Sequence, residues 1–325
     1  MSPDSWPSVA FVIPVLNAAR DLPACLATLR DQEYPRDRFE IIVVDGGSTD
    51  DTVAVARSFG ARVLPNPLKL AEPGVDLGFN AAQADIVIAM AADNGLPCAD
   101  WLRQMMRPFM ERPGVVGVYT QIVPDAADNS FTKYYCRLHV EPFTWFVYGA
   151  AANPREFHKA YAVAHAGDGY RVFKFTPMRH PLIALAQAFA VRRSFRRRAG
   201  FEHDDILPII QMIEDGQELA YVPGAGVYHH HLLSFGHYLR KYQWRIANSL
   251  EQTQAGFDRR APYLTAGRRA RKYLFVVYGL TVIGPLVDSL RLALRERSAC
   301  MLWHGPASIG LSWLIFTEWV KMKLR

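Results

Sequence analysis

Residues 9–15 (VAFVIPV) and 39–44 (FEIIVV), the second running into Asp45-Gly46-Gly47-Ser48-Thr49-Asp50, decide how this chain folds. Both runs are of strand length and apolar at nearly every position rather than at alternate ones, the signature of strands buried on both faces. Between them, residues 21–32 (DLPACLATLRDQ) place Leu22, Cys25, Leu26 and Leu29 at helical spacing. Beyond the 45–50 turn, residues 52–59 read as a helix and 61–64 as a third strand. Residues 76–84 read as another helix and 85–91 (DIVIAMA) as a fourth, fully apolar strand. Strands alternating with helices predict an α/β fold with a mainly parallel central sheet. In such sheets ligands sit beyond the carboxyl ends of the strands, so the polar residues just after each strand are the ones to weigh.

The 325 residues have room for about two domains of roughly 150 residues. The net charge of +6 is uneven: residues 268–325 hold ten basic against three acidic groups, and the first 267 residues are at −1. A nucleic-acid-binding body is thereby disfavoured, because its basic footprint should lie on the folded domain. Half of the residues are hydrophobic and 12% aromatic, which excludes disorder and collagen-like structure. Cys25, Cys98, Cys136 and Cys300 stand far apart without CxxC spacing, so a disulfide framework or zinc knuckle is not expected and a reducing compartment fits. No basic segment followed by an apolar run opens the chain, so no signal peptide is expected.

The middle, about 110 to 265, is aromatic-rich (FTKYYC, PFTWFVYG) and contains the basic run 192–198, RRSFRRR. Residues 220–227 (AYVPGAGV) read as an edge strand and turn leading into Tyr228-His229-His230-His231. After Arg268, Arg269, Arg271 and Lys272 come two uncharged stretches, 273–287 and 298–317, separated by a mixed segment. The first is short and the second contains His304, Gly305 and Pro306, so neither reads as a clean span of about 20 apolar residues. Basic clusters at both outer ends favour cytoplasmic ends with a hairpin between, and the arginines of the connector favour shallow or in-plane insertion.

The N-terminal pattern, one strand ending in Pro-x-x-Asn and a second in Val-Asp-x-x-Ser-x-Asp, resembles the opening of family 2 glycosyltransferases of the membrane-associated bacterial type. These have the GT-A fold and use nucleotide sugars. The likeness spans roughly residues 8–105 and continues, more weakly, over 185–250. It implies a nucleotide-sugar-binding half at 1–110, an acceptor-binding and catalytic half at 111–266, and membrane-associated helices at 267–325. The implied nucleotide-sugar contacts are Pro14, Leu16, Asn17, Asp45, Gly47, Asp76, Asp93 and Asn94. The chemistry of several agrees. Pro14, Leu16 and Asn17 offer an apolar wall and an amide for a flat base, Asp45 a carboxylate for its N–H groups, and Gly46-Gly47 room for close approach. Residues 45–50 can equally turn the chain and cap the next helix through Ser48 or Asp50.

The fourth strand ends in Ala91-Ala92-Asp93-Asn94, where the family usually carries Asp-x-Asp. The first acid is replaced by Ala91, leaving Asp93 to contact the ribose or, with the Asn94 amide, diphosphate oxygens and water, to hold Mg²⁺ or Mn²⁺; the alternative for Asp93 is a helix cap. Arg198-Ala-Gly-Phe201 and His203-Asp204-Asp205-Ile206-Leu207 resemble the family's Gly-Gly-Phe and Glu-Asp-x-x-Leu region. Asp205 matches the general base, with Asp204 the alternative, and helix capping the other use of both. His229 matches a family histidine that binds metal or phosphate, and shares a strand face with His231. Lys241 and Arg245, at i and i+4, match basic residues that meet the departing diphosphate, or form a solvated or membrane-facing stripe. The 192–198 arginines are expected to contact lipid headgroups or an anionic acceptor.

The whole implies an inverting glycosyltransferase on the cytoplasmic face of a membrane, moving a sugar to a lipid-linked or glycan acceptor hydroxyl. Two rivals stand beside it: a polyprenyl-phosphate acceptor, already ionised and needing no base, and a non-catalytic nucleotide-sugar-binding partner. A dehydrogenase is excluded because no GxGxxG follows an early strand.

Overall fold

The computed structural model describes residues 6–198, 204–230, 234–254 and 260–324. The chain divides into two compact units, residues 1–122 with 154–229, and 123–153 with 230–325. The first unit holds β1 (Val9–Val15), β2 (Phe39–Asp45), β3 (Arg62–Pro65), β4 (Ile86–Met90), β5 (Asn94–Gly95) and β6 (Val115–Tyr119). It continues with β7 (Val163–Gly167), β8 (Tyr170–Phe173), β9 (Gln187–Arg192), β10 (Glu218–Tyr221) and β11 (Tyr228–His229). Its early helices are α1 (Leu22–Arg30), α2 (Thr52–Ser58), α3 (Ala71–Ala81) and α4 (Trp101–Glu111). The second unit takes α5 (Ser130–Leu138) and α6 (Pro142–Tyr148), the first α7 (Phe157–Ala160) and α8 (Leu207–Glu214). The second ends the chain with α9 (Phe235–Gln254), α10 (Ala266–Leu280), α11 (Ile283–Glu296) and α12 (His304–Leu324).

The main sheet of the first unit runs β3-β2-β1-β4-β9-β6-β10-β8-β7. β1 pairs in parallel with both β2 and β4, and β2 with β3, so the apolar runs read from sequence form one parallel half. β9 inserts antiparallel between β4 and β6, making the sheet mixed but mainly parallel. Helix α3 lies directly on β1 because two glycines permit it. A Cβ at Gly78 would stand 2.2 Å from Val12 Cγ1, and one at Gly74 2.9 Å from Pro14 Cβ.

Two expectations are corrected here. Helix α3 begins at Ala71 rather than at Asp76, because Pro73 falls in its first turn, where its missing N–H is no loss. The segment read as an edge strand is interior: β10 pairs with β6 on one side and β8 on the other, and Pro223 lies beyond it.

The second unit is helical, with a core of Phe131, Tyr134, Tyr135, Tyr238, Tyr242, Phe275, Met301 and Leu311. The aromatic-rich segments thus supply a packed interior. Asn129 caps α5 by accepting from the Phe131 and Thr132 N–H groups, and Thr265 caps α10 by accepting from Arg268. Residues 299–324 form one continuous helical stretch, long and apolar enough to cross a membrane by length and composition. Gly305 and Pro306, which counted against a clean span, lie in the first turn of α12 and do not interrupt it.

Candidate active site

The carboxyl ends of β1, β2 and β4 share one edge of the parallel half, and the loops leaving them form the site. After β1, Asn17 adopts a left-handed conformation with φ of 52°. Its Oδ1 accepts from the Thr49 N–H at 2.8 Å, and its own N–H donates to Ser48 Oγ at 2.8 Å. Asp45, at the end of β2, accepts from the Gly47 N–H at 3.0 Å and from Ser48 Oγ at 2.6 Å. Asp50 accepts from the N–H groups of Thr52 and Ala19. This network fixes the turn in one shape and ties the first loop to the second. Gly47 has φ of +88°, which a side chain would strain, while Leu16 stays half exposed above the turn. Pro14 is covered by Gly74 of α3, so its ring supports the site from beneath.

At the end of β4 the turn 91–94 is closed by Asn94, whose Oδ1 accepts from the Ala91 N–H at 2.9 Å and whose Nδ2 donates to the Tyr228 carbonyl at 3.3 Å. Both ends of this buried amide are engaged by backbone, so Asn94 braces the turn. The bracing has a consequence for Asp93. Antiparallel pairing of β5 with β11 sets His229 opposite Asn94 and brings His229 Nε2 to 3.5 Å from Asp93 Oδ1. The thiol of Cys25 lies below, 3.8 Å from the Ala91 carbonyl. Burial first, and the Asp93 charge second, push it up to about 12. Cys25 is therefore a neutral thiol at physiological pH and no nucleophile.

Asp204 and Asp205 precede α8. Asp204 Oδ1 accepts from the Ile206 and Leu207 N–H groups at 2.7 and 2.8 Å, capping the helix start. The Asp205 carbonyl accepts from the Leu185 N–H at 3.4 Å, two residues before β9. Gln187 pairs with Met90, so Asp205 belongs to the same sheet edge as Asp93. Gly200, Phe201, His203 and His231 lie outside the described residues.

Other candidates fall elsewhere. Asp76 on α3 pairs with Arg197 at 2.6 Å, both side chains mostly buried. Arg192 donates to the Val115 and Phe109 carbonyls, and Arg198 pairs with Glu214 and Asp215. The basic run expected to meet lipid or acceptor thus binds largely within its own unit, a correction that follows from carboxylates and carbonyls lying in reach. Lys241 and Arg245 belong to α9 of the second unit, where the Arg245 guanidinium stacks 5.6 Å from the Tyr242 ring centroid. Two basic residues escaped the sequence reading. Lys69, with φ of 57°, flanks the glycine turn, its Cα 3.4 Å from where a Gly46 Cβ would sit. Arg20, paired with Asp21 at 2.8 Å, feels the Asp93 charge. Neither stands in a motif; only the fold brings them to the edge.

The residues that would hold a divalent cation are Asp93 through Oδ1 and His229 through Nε2. Asp93 Oδ1 is buried and accepts no hydrogen bond, which suits an oxygen waiting for a cation. Among the described residues no group of three or more His, Cys, Asp or Glu could hold a metal alone. The residues therefore fit a cation shared with a ligand's own oxygens rather than a self-sufficient protein site.

The chain is similar to known glycosyltransferases. A 53-residue stretch is 43% identical to glycosyltransferase AglE of Haloferax volcanii, covering 16% of this chain and 17% of that protein. A PGL/p-HBAD biosynthesis glycosyltransferase of Mycobacterium bovis is 34% identical over 107 residues, 30% of this chain and 40% of that one. The chain thus matches about a sixth and two fifths of the lengths of these relatives. Mannosyltransferase PcManGT from Pyrobaculum calidifontis, solved with GDP-Man and Mn²⁺, superposes with a TM-score of 0.58 at 17% identity. The overlap covers 98% of this chain and 88% of that one, a likeness of fold. Residues 10–177, just over half the chain, match the family described as Glycosyl transferase family 2. With the GT-A sheet and the loops at its carboxyl edge in place, the chain belongs to glycosyltransferase family 2.

Proposed function

We propose that this chain is an inverting glycosyltransferase that moves a sugar from a nucleotide diphosphate to the hydroxyl of a lipid-linked or membrane-delivered acceptor. The observation that carries the reading is the Asp93–His229 pair, an acid and an imidazole 3.5 Å apart at the carboxyl edge of the parallel half-sheet. Leu16 and the fixed 45–50 turn would receive the base, with Asp45 and the open face of Gly47 beside it, and Lys69 and Arg20 would add positive charge near the phosphates. Asp93 and His229 would hold Mg²⁺ or Mn²⁺, which when bound supplies charge stabilisation for the departing diphosphate.

Asp205 would act as the base. It removes the proton from the acceptor hydroxyl, the freed oxygen attacks the anomeric carbon from the face opposite the diphosphate, and the bond to the diphosphate oxygen breaks with inversion. Lys241 and Arg245 are proposed to meet the diphosphate or the acceptor. The catalytic body is placed on the cytoplasmic face, on the strength of the basic residues flanking the tail.

A thermal-shift panel of UDP-, GDP- and dTDP-sugars, with and without Mn²⁺, tests the donor reading by mass action and needs no acceptor. Stabilisation by one nucleotide class supports it, and no shift with any donor opposes it. Binding without sugar release under any acceptor or metal condition would instead favour a non-catalytic partner.

A further inference from the structure

A helix on a water-soluble surface turns its apolar stripe inward and its polar face out. Helices α10 and α11 bury Phe275 and Leu292 yet carry a second apolar face outside. Tyr273, Leu274, Val277 and Leu280 are exposed along α10, and Ile283, Leu286, Leu290 and Leu294 along α11, with Ile283 at 73% and Leu294 at 80%. The inward side of α11 holds Ser289 and half-buried Asp288 beside Pro285 and Leu292. Asp288 accepts from the Tyr278 hydroxyl at 2.9 Å, and the Ser289 hydroxyl donates to the Pro285 carbonyl at 3.0 Å. Neighbouring helices approach through small residues. A Cβ at Gly279 would lie 1.8 Å from Ser312 Oγ, and that hydroxyl donates to the Phe275 carbonyl at 3.2 Å. Small and hydroxyl-bearing contacts beside buried Phe275 and Leu292, with leucines outside, suit a surface whose surrounding solvent is hydrocarbon.

Length decides how such a surface meets a bilayer. At 1.5 Å per residue α10 and α11 are about 22 and 21 Å long, short of a hydrocarbon core of about 30 Å, and the chain bends by 95° between them. Charge decides which lipid. Residues 266–297 carry seven Lys or Arg against Asp288 and Glu296, and basic side chains around an apolar face match anionic headgroups. On α12 the His304, Ser308 and Ser312 side is buried, while Trp313, Phe316 and Trp319 point outward, residue types favoured at the headgroup level.

We propose that the α10–α11 elbow is an in-plane docking surface for an anionic membrane, its leucine face seated at the headgroup–acyl boundary and crossing nothing. This deepens the membrane-delivered reading above and rests on it for the choice of a lipid surface, whereas the measurement needs no sugar transfer. The full chain is mixed with phosphatidylcholine vesicles, with or without phosphatidylglycerol, and sedimented. It should pellet with the anionic vesicles, stay in solution with phosphatidylcholine alone, and be released by alkaline carbonate. Leu290→Glu with Leu294→Glu should weaken partitioning about 100-fold, the loss of two buried leucine side chains. Arg291→Glu with Arg295→Glu should remove the preference for anionic lipid. Nucleotide-induced thermal shifts in the same samples should be unchanged, which shows that the variants are folded and separates failed docking from failed donor binding. The proposal is overturned by a full chain that ignores anionic vesicles, by leucine variants that bind as before, or by carbonate-resistant, spanning insertion. It is equally overturned if gel filtration shows that the leucine variants only split a dimer, which would make a second copy the occupant.

Discussion

His229 Nε2 stands 3.5 Å from Asp93 Oδ1, although more than a hundred residues separate the two in sequence. The contact exists because β11 pairs with β5 immediately after the fourth strand of the parallel half, with His229 opposite Asn94. In the proposed reading this pair would hold the cation at a turn where the family's usual first acid is Ala91.

If the cation is shared with the ligand, Mn²⁺ alone should leave the melting temperature unchanged, and a nucleoside diphosphate alone should raise it only slightly. The two together should raise it by more than the sum. Calorimetric titration of Mn²⁺ with and without nucleotide checks this. Tight Mn²⁺ binding to the protein alone would point to ligands other than this pair.

Asp93→Asn and His229→Ala should each lower donor turnover by about 100-fold, the scale of losing one fixed electrostatic contact to a developing charge. The double variant should fall little further, because both side chains act on one ion. Purely additive losses would show that they act separately.

Gly78→Ala tests the seat of α3 on β1. The added Cβ would meet Val12 Cγ1 at 2.2 Å, and overpacking of this kind costs about 1–3 kcal/mol. For a unit the size of the first one each kcal/mol lowers the melting temperature by about 2–4 °C. A melting temperature equal to wild type would mean that the helix shifts without penalty.

Acid should destabilise the first unit through carboxylates held below their ordinary range. Asp85 is lowered by the Ser8 hydroxyl and N–H, and Glu218 by the Arg112 guanidinium. A folded-state pKa below the unfolded value gives stability that is present above about pH 4 and lost as pH falls through the folded value. Ser8→Ala should therefore lower the melting temperature at pH 7, and the difference from wild type should close in acid. An undiminished difference at low pH would refute the linkage.

Much of this architecture is written in local pattern. Val9–Val15 is a strand because nothing in it is polar, and the 45–50 turn shows itself through adjacent glycines and helix-capping side chains. What sequence hides is set by distant pairing. The start of α3 at Ala71, ahead of the expected Asp76, goes with the close seat of Gly74 on Pro14. The amides of Asn17 and Asn94 read as ligand groups, yet each binds loop backbone, because the chain returns within reach. Asp76 meets Arg197 across more than a hundred residues. Lys69 and Arg20 belong to no motif and gain meaning only from the sheet edge.

The central claim is that Asp205 takes the acceptor proton. The most direct test is single-turnover transfer by Asp205→Asn beside nucleotide-sugar affinity of the same protein. The account predicts donor affinity within about twofold of wild type and transfer reduced by about 100-fold or more, the scale of a lost general base. Near-normal transfer by Asp205→Asn would contradict it and would point to an acceptor already ionised, such as a polyprenyl phosphate.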